Sequence, residues 1–233
     1  MFMYRSAHFL KVRRMDITRI IKTLKHYSSP KNKDGMAKFG IATEHALGVS
    51  IPNIRKIARE IGKNHELALS LWKTNIHEAR ILACIIDDPN KVTSDQMDAW
   101  VNDFNSWDLC DQCCMNLFDK TRFAYLKAVA WPDNEKEFVR RAGFALIAAL
   151  AVHDKKADDG KFIRFFPIIK QYSTDERNFV KKAVNWALRQ IGKRNNNLRK
   201  EAIKVAEEIQ NIDSNAAKWV ACDALRELNN VRQ

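Results

Sequence analysis

The sequence predicts an all-α fold, and three observations support that prediction. The 233 residues include only 7 glycines and 5 prolines, about half the usual share of the two residues that interrupt helices. Apolar residues recur with a helical period in almost every long segment. Two short motifs also recur at separations close to the length of a helical-pair repeat.

Apolar periodicity and its interruptions predict the helices in order along the chain. Pro89, Pro132, Gly160 and the asparagines at 195–197 mark the interruptions. Pro167 falls inside a predicted helix and is expected to kink it, because proline removes a helical hydrogen bond. The predicted helices cover 17–27, 51–61, 66–72, 76–86, 94–103, 107–119, 122–130, 135–152, 161–171, 175–192, 198–210 and 214–229.

The repeated motifs indicate how these helices are arranged. Phe138-Val-Arg-Arg-Ala142 recurs 41 residues later as Phe179-Val-Lys-Lys-Ala183. Trp186-Ala-Leu-Arg-Gln-Ile191 recurs loosely 37 residues later, from Asp223 to Leu228. Offsets near 40 residues are typical of HEAT and armadillo repeats. The predicted fold is therefore an all-α superhelix of the HEAT-like or armadillo type, a helical-pair solenoid.

Positive charge is concentrated in the repeats and predicts a basic concave face. Residues 120–233 hold 23 Lys and Arg against 14 Asp and Glu, whereas residues 1–119 hold 17 against 14. In the repeat register Arg140 and Arg141 align with Lys181 and Lys182, and Arg189 aligns with Arg226. Such a track favours duplex DNA as the partner, with strongly salt-dependent binding. Alternatively, each of these basic residues taken singly is a solvated charge on the flank of an amphipathic helix.

The domain organisation is predicted to be simple. Residues 1–15 are basic and precede the amphipathic pattern, so they form an N-terminal extension, either disordered or helical. Met1 and Met15 both stay open as the start. Residues 16–233 form a single HEAT-like repeat domain. No secretory signal is expected, and no apolar run is long enough for a membrane span, so a cytoplasmic location is expected. A solenoid with polar ends, such as residues 229–233, would most simply be a monomer.

Several kinds of site are disfavoured by the sequence. Five cysteines in no disulfide-framework spacing fit a reducing compartment. The Cys110-x-x-Cys113 pair has no second Cys/His pair at a suitable spacing, so buried helix residues are expected there and not a zinc site. Phosphate-binding, metalloprotease and serine-hydrolase motifs are absent from the sequence. No metal and no cofactor is expected.

Trp107 and Asp111 stand four residues apart near a predicted helix start, and therefore share one helix face. If that face opens onto a cleft, it presents a flat π surface and an anion, which together suit a planar cation. The alternatives are a Trp buried in the core and an Asp paired with Arg141 or Arg80.

The ordered motifs resemble the AlkD-like DNA alkylation repair glycosylases, which are HEAT-like repeat proteins. The resemblance covers nearly everything from Asp16 to the C-terminal helices. The motifs that carry it are Met36-Ala-Lys-Phe39 with Leu47-Gly-Val-Ser-Ile-Pro52, Trp107-Asp-Leu-Cys-Asp111, Phe138-Val-Arg-Arg-Ala142 and Lys181-Lys-Ala-Val-Asn-Trp186-Ala-Leu-Arg189.

The resemblance implies a DNA N-glycosylase that excises cationic alkylated purines, such as N3-methyladenine and N7-methylguanine, from duplex DNA. It implies Asp111 as the anion that stabilises the sugar cation and orients water. Trp107 and Trp186 are implied as the aromatic walls of the cleft. The implied DNA-backbone contacts are Arg141, Arg140, Lys181, Lys182 and Arg189.

Phe39 departs from the family pattern, since active members tend to carry a tyrosine at this wall of the cleft. The ring is kept and the hydroxyl is lost, which leaves catalysis open. A non-catalytic DNA-binding protein that recognises distorted or branched duplexes is therefore a second hypothesis. A protein-interaction scaffold is a third, although a scaffold has no reason to concentrate one sign of charge.

Overall fold

The computed structural model describes residues 16–230 and contains fourteen α-helices and no strand in that range. The predicted extension, residues 1–15, lies outside the described residues. Three single-turn 3₁₀ helices, Phe118–Lys120, Trp131–Asp133 and Tyr172–Thr174, join longer helices. The α-helices are α1 Ile17–His26, α2 Pro30–Lys38, α3 Ile51–Ile61, α4 His65–Trp72, α5 His77–Ile86, α6 Ser94–Asn102, α7 Trp107–Asn116, α8 Ala124–Ala130, α9 Glu137–His153, α10 Asp159–Ile163, α11 Phe166–Gln171, α12 Asn178–Gly192, α13 Asn196–Gln210 and α14 Asn215–Asn229.

Five of these helices form a continuous row. Each of α5, α7, α9, α12 and α14 packs against the next, and a second layer that includes α4, α8, α11 and α13 packs against members of the row. The row carries the core, since α9 is buried at every position from Ala142 to Ala151. A helix that is apolar all round needs neighbours on every side. The predicted all-α, helical-pair architecture is confirmed.

Helix α2 is the one α-helix of the described residues that the sequence analysis did not predict. It has no buried residue and no apolar stripe, so periodicity gives no sign of it. Its signal is local, because Ser29 caps it by accepting a hydrogen bond from the N–H of Asn32 at 3.3 Å and Pro30 occupies its first position. Serine followed by proline is a typical helix start. This helix matters because it carries Phe39 at its end.

The expected kink at Pro167 is a complete break. The chain forms α10, ends it at Ile163, and starts α11 at Phe166 with Pro167 in its first turn. Proline is tolerated in a first turn because the N–H that it lacks would have no helical acceptor there. In a helix interior its ring clashes with the preceding turn.

The cysteines differ from expectation in one respect. Cys110 and Cys114 are buried and unpaired, as expected for small helix residues. Cys84 and Cys113, however, are joined as a disulfide where α5 packs on α7, with their Cα atoms 5.2 Å apart. Their separation of 29 residues hides this pairing from sequence spacing, because only the packing of the two helices brings them together.

Within residues 16–230, no helix combines the length and apolar character needed to cross a bilayer. The same residues contain no cluster of three or more His, Cys, Asp or Glu side chains arranged to hold a metal ion.

Glu78 of α5 holds the loop that precedes α3. Its Oε1 accepts hydrogen bonds from the backbone N–H groups of Leu47, Gly48 and Val49 at 3.0, 2.6 and 3.1 Å, and the residue is only 1% exposed. Gly48 has a φ of 76°, and a Cβ there would overlap the carbonyl oxygen of Ser29. The loop is thus pinned to the start of α2, which fixes where that helix lies.

We expect Glu78→Ala to lower the free energy of unfolding by about 2–4 kcal/mol, because three N–H groups lose their buried acceptor. Glu78→Gln is the matched control. It keeps Oε1 as an acceptor, so it should lose less than half as much. Urea denaturation followed by circular dichroism measures both values. Equal losses in the two variants would contradict this role of Oε1.

Candidate functional site

A pocket of about 330 Å³ opens between the end of α2 and the row helices α7, α9 and α12. Six of the nine site residues named from the sequence line it, although they span almost 150 residues of chain. Phe179 is the seventh lining residue, and it was not named. The six are Phe39, Trp107, Asp111, Arg141, Lys182 and Trp186.

Trp107 and Asp111 reach the pocket because α7 begins at Trp107. Ser106 has extended backbone and ends the preceding loop, so the indole sits on the first helical residue and the carboxylate one turn later. Both side chains are half-buried, as is Trp186 on α12. The predicted shared face of α7 therefore faces an open pocket.

Asp111 is paired with Arg141, one of the two partners expected from the sequence. The guanidinium is bidentate, with Nε 3.1 Å from Oδ1 and Nη2 2.8 Å from Oδ2. Its Nη1 donates to the carbonyl oxygen of Phe179 at 2.6 Å. Arg141 thereby connects α7, α9 and α12. Two parallel bonds fix the carboxylate in orientation as well as in position.

Burial and the ion pair act in opposite directions on the pKa values of Asp111 and Arg141. Burial raises the pKa of the Asp111 carboxyl above its ordinary value, and the charge and hydrogen bonds of Arg141 oppose that rise. Burial acts to lower the pKa of Arg141, but Asp111 outweighs it and the pKa lies above its ordinary value. Asp111 is thus a carboxylate whose charge depends on its partner.

Phe39 forms the front wall of the pocket and is 72% exposed. The indole Nε1 of Trp107 donates to its carbonyl oxygen at 3.0 Å. Gly40 follows with a φ of 72°, and a Cβ there would lie 2.9 Å from the ring of Phe179. Only glycine combines this conformation with so close an approach. The end of α2 therefore bridges α7 and α12 across the pocket.

His77 and Asp108 support the first turn of α7 from behind. Nε2 of His77, which is 5% exposed, lies 2.8 Å from Oδ2 of Asp108. Burial acts to raise the pKa of Asp108, but the hydrogen bond and charge of His77 outweigh burial and the pKa lies below its ordinary value. The pair anchors α7 to α5. It lines a second cavity of about 790 Å³, which shares Phe39, Trp107 and Asp111 with the pocket.

Arg140 does not line the pocket, and its guanidinium is engaged by other groups of the protein. Its Nε donates to the carbonyl of Pro132 at 2.8 Å, and its Nη1 lies 2.7 Å from Asp175. Adjacent residues of a helix project about 100° apart, so Arg140 points away from the pocket that Arg141 lines.

The remaining predicted DNA contacts fall into two groups. Arg189 pairs with Glu227 and lies 3.8 Å from Asp223, so acids of α14 hold it. Lys182 lines the pocket, and Nζ of the adjacent Lys181 lies 5.2 Å from the centroid of the Trp219 ring. Neither lysine has a carboxylate within ion-pair distance among the described residues. These two carry the uncompensated charge of the predicted set.

Phe179, His77 and Asp108 are the site residues that the sequence analysis missed. Phe179 had a signal, because it aligns with Phe138 in the repeat and precedes the two lysines by two and three residues. His77 and Asp108 had none, since only the packing of α5 on α7 brings them together.

The chain matches known proteins over most of its length. Residues 20–228 match the family model of DNA alkylation repair enzymes. The chain is 24% identical to an uncharacterized protein of Listeria innocua over 174 residues, 73% of this chain and 75% of the relative. It is 28% identical to an uncharacterized protein of Listeria monocytogenes over 102 residues, 42% of this chain and 46% of the relative.

A solved structure has a similar fold. It represents a new family of proteins related to the HEAT-like repeat DNA glycosylases with affinity for branched DNA structures. The two structures agree with a TM-score of 0.76 at 21% identity, over 91% of this chain and 95% of the other. Identity at that level shows a shared HEAT-like fold. Because the family model spans almost the whole chain, the protein belongs to the DNA alkylation repair enzyme family.

Proposed function

We propose that this protein is a monofunctional DNA glycosylase that releases cationic alkylated purines, such as N3-methyladenine and N7-methylguanine, from duplex DNA. The observation that carries the proposal is the convergence of Trp107, Trp186 and Asp111 on one open pocket. Membership of the DNA alkylation repair enzyme family supports damaged DNA as the substrate. A pocket with aromatic walls and an anion is complementary to a planar cation.

The chemistry asks little of the protein beyond stabilising charge. An alkylated ring nitrogen makes the purine cationic, so the base leaves as a neutral molecule without being protonated. The N-glycosidic electron pair goes to the departing base and leaves an oxocarbenium-like sugar. The Asp111 carboxylate stabilises that cation and orients the water that adds to it, while the water's proton passes to solvent. A fixed charge in a shielded site is an effective stabiliser of this kind.

Arg141 keeps Asp111 in place without abolishing its effect. The side chain of Arg141 is 7% exposed and that of Asp111 is 20% exposed, so the carboxylate is the more accessible member of the pair. Coulombic attraction falls with distance. A sugar cation on the pocket side therefore interacts more strongly with Asp111 than with the guanidinium behind it.

The indoles and lysines have separate roles in this proposal. Trp107 and Trp186 hold the lesion by cation–π attraction, worth about 1–2 kcal/mol each when desolvated. Lys181 and Lys182 contact the backbone phosphates beside the lesion. Such contacts position the duplex and carry no sequence information. We expect the protein to act as a monomer in the compartment that holds the DNA, the cytoplasm or nucleoid.

Phe39 favours a second candidate function, non-catalytic binding of branched or distorted DNA. A phenylalanine wall offers a ring but no hydroxyl to hydrogen-bond a substrate. The family of the similar solved structure is described as having affinity for branched DNA. The deciding experiment incubates the wild-type protein with alkylated duplex and with forked DNA. Free methylated base supports the enzyme, whereas binding of the fork without release supports the second function.

We expect Asp111→Asn to slow release of the methylated base about 10²–10³-fold, because the sugar cation loses its anion. Duplex affinity should stay within about threefold, because phosphate contacts dominate it. Single-turnover release from alkylated duplex and fluorescence anisotropy measure the two quantities, below the melting transition of the variant. Asp95→Asn, an exposed site on α6, is the matched control and should release base at the wild-type rate. Wild-type rates for Asp111→Asn would contradict the role of the carboxylate.

The release rate should also depend on pH through Asp111. Burial raises the pKa of this carboxyl, so the rate should fall as the pH is lowered, starting at a higher pH than for an exposed aspartate. Arg141→Gln removes the charge that opposes the rise, and the acid limb should then move to still higher pH. Single-turnover rates, corrected for release without enzyme, give both profiles. If the acid limb of Arg141→Gln lies at the same pH as that of the wild type, or at a lower pH, the rate depends on a group other than Asp111.

A further inference from the structure

Trp219 is an exposed indole on the row of helices that builds the pocket, and the proposed glycosylase chemistry does not use it. It is 40% exposed and lies in the first half of α14. Exposed large apolar side chains are few among the described residues, and Phe39 and Trp219 are the aromatic ones. Phe39 belongs to the pocket. An indole that remains exposed to solvent is therefore a second candidate position for ligand binding.

The repeat register places Trp219 in line with two pocket residues. The offset of 41 residues relates Arg141 to Lys182, and the offset of 37 residues relates Lys182 to Trp219. Packing agrees with this register, because α12 and α14 are neighbours in the row. Asn185 of α12 donates to the carbonyl oxygen of Val220 at 2.9 Å. Trp219 thus occupies, one helix further along, the position that Arg141 and Lys182 hold beside the pocket.

A cation accompanies the indole. Nζ of Lys181 lies 5.2 Å from the centroid of the Trp219 ring. Lys181 and Lys182 have no carboxylate within 4.0 Å in the part of the chain that the structure describes, in contrast to Arg140, Arg141 and Arg189. The indole therefore stands next to Lys181, one of the two uncompensated charges of the row. An aromatic face beside unpaired cations is the usual composition of a site that stacks a nucleic-acid base and holds its phosphate.

We infer that Trp219 and Lys181 form a second DNA subsite, which stacks an unpaired base of a single-stranded arm next to the bound duplex. A paired base presents only its edges to a protein, because both of its faces are stacked within the helix. An unpaired base offers a whole face to an indole, whatever its sequence. Lys181 supplies the charge for the adjoining phosphate. The inference rests on the proposed binding of duplex DNA at the pocket, but not on base excision.

The test compares two probes with the full-length protein by fluorescence anisotropy. One is a blunt duplex of about 20 base pairs, and the other is the same duplex with an arm of about eight thymidines. The wild type should bind the armed probe more tightly. Trp219→Leu should weaken the armed probe about 5–30-fold and the blunt duplex by less than about twofold. Lys181→Gln should weaken the armed probe less and reduce the dependence of log affinity on log salt by about one unit.

Two further variants serve as controls. Trp219→Phe retains an aromatic face and should restore most of the preference for the armed probe. Leu126→Ala, at an apolar side chain of α8 that is 62% exposed, should change neither affinity. The inference is overturned if the wild type binds both probes equally, or if Trp219→Leu weakens both alike or neither.

Different results would contradict the Trp219 subsite and the proposed glycosylase activity. Release of methylated base from blunt alkylated duplex should proceed at the wild-type rate in Trp219→Leu, because the indole is not in the pocket. If the wild type releases no base but prefers the armed probe through Trp219, the subsite stands and the glycosylase does not. If it binds neither probe, both the subsite and the proposed DNA function are refuted.

Discussion

One buried guanidinium organises the centre of this molecule. Arg141 contributes bonds to Asp111 of α7 and to a backbone carbonyl of α12 from its own position on α9. A charge this far from solvent is stable only when paired, and removing one member of such a pair costs about 3–5 kcal/mol. The need to satisfy Arg141 therefore fixes the spacing of three row helices. The pocket lies where those helices are held, and its carboxylate is the partner that the guanidinium requires.

Residues distant in sequence complete the pocket through weaker contacts. Phe39 comes from an exposed helix at the N-terminal end of the described chain, and the Trp107 indole meets its carbonyl 68 residues later. That helix is placed in turn by the loop that Glu78 pins from α5. The buried side chain of Glu78 on α5 thus helps to determine where the front wall stands. The solenoid supplies a rigid back wall and a locally attached front wall.

Most of the fold could be predicted from the sequence, because most of the long helices bury one side and repeat their apolar residues with a helical period. Helix α2 was not predicted, because it has no buried residue and therefore no apolar period. The site was predictable where one helix face was enough, as for Trp107 and Asp111, or where the repeat aligned residues, as for Lys182. It was not predictable where the contact depends on packing between helices. The Cys84–Cys113 disulfide and the His77–Asp108 pair are of that kind. Arg140 lies on a different face of α9 from Arg141 and does not line the pocket.

The few contacts that hold α2 affect how easily the front of the pocket opens. This helix has no buried residue, and the described contacts that hold it are few: the loop bonds around Gly48, the Trp107–Phe39 bond and the contact of Gly40 with Phe179. Segments with so little buried surface open with a small fraction of the free energy of global unfolding. The front wall of the pocket is therefore expected to open at a lower cost in free energy than its back wall, which belongs to the row of buried helices.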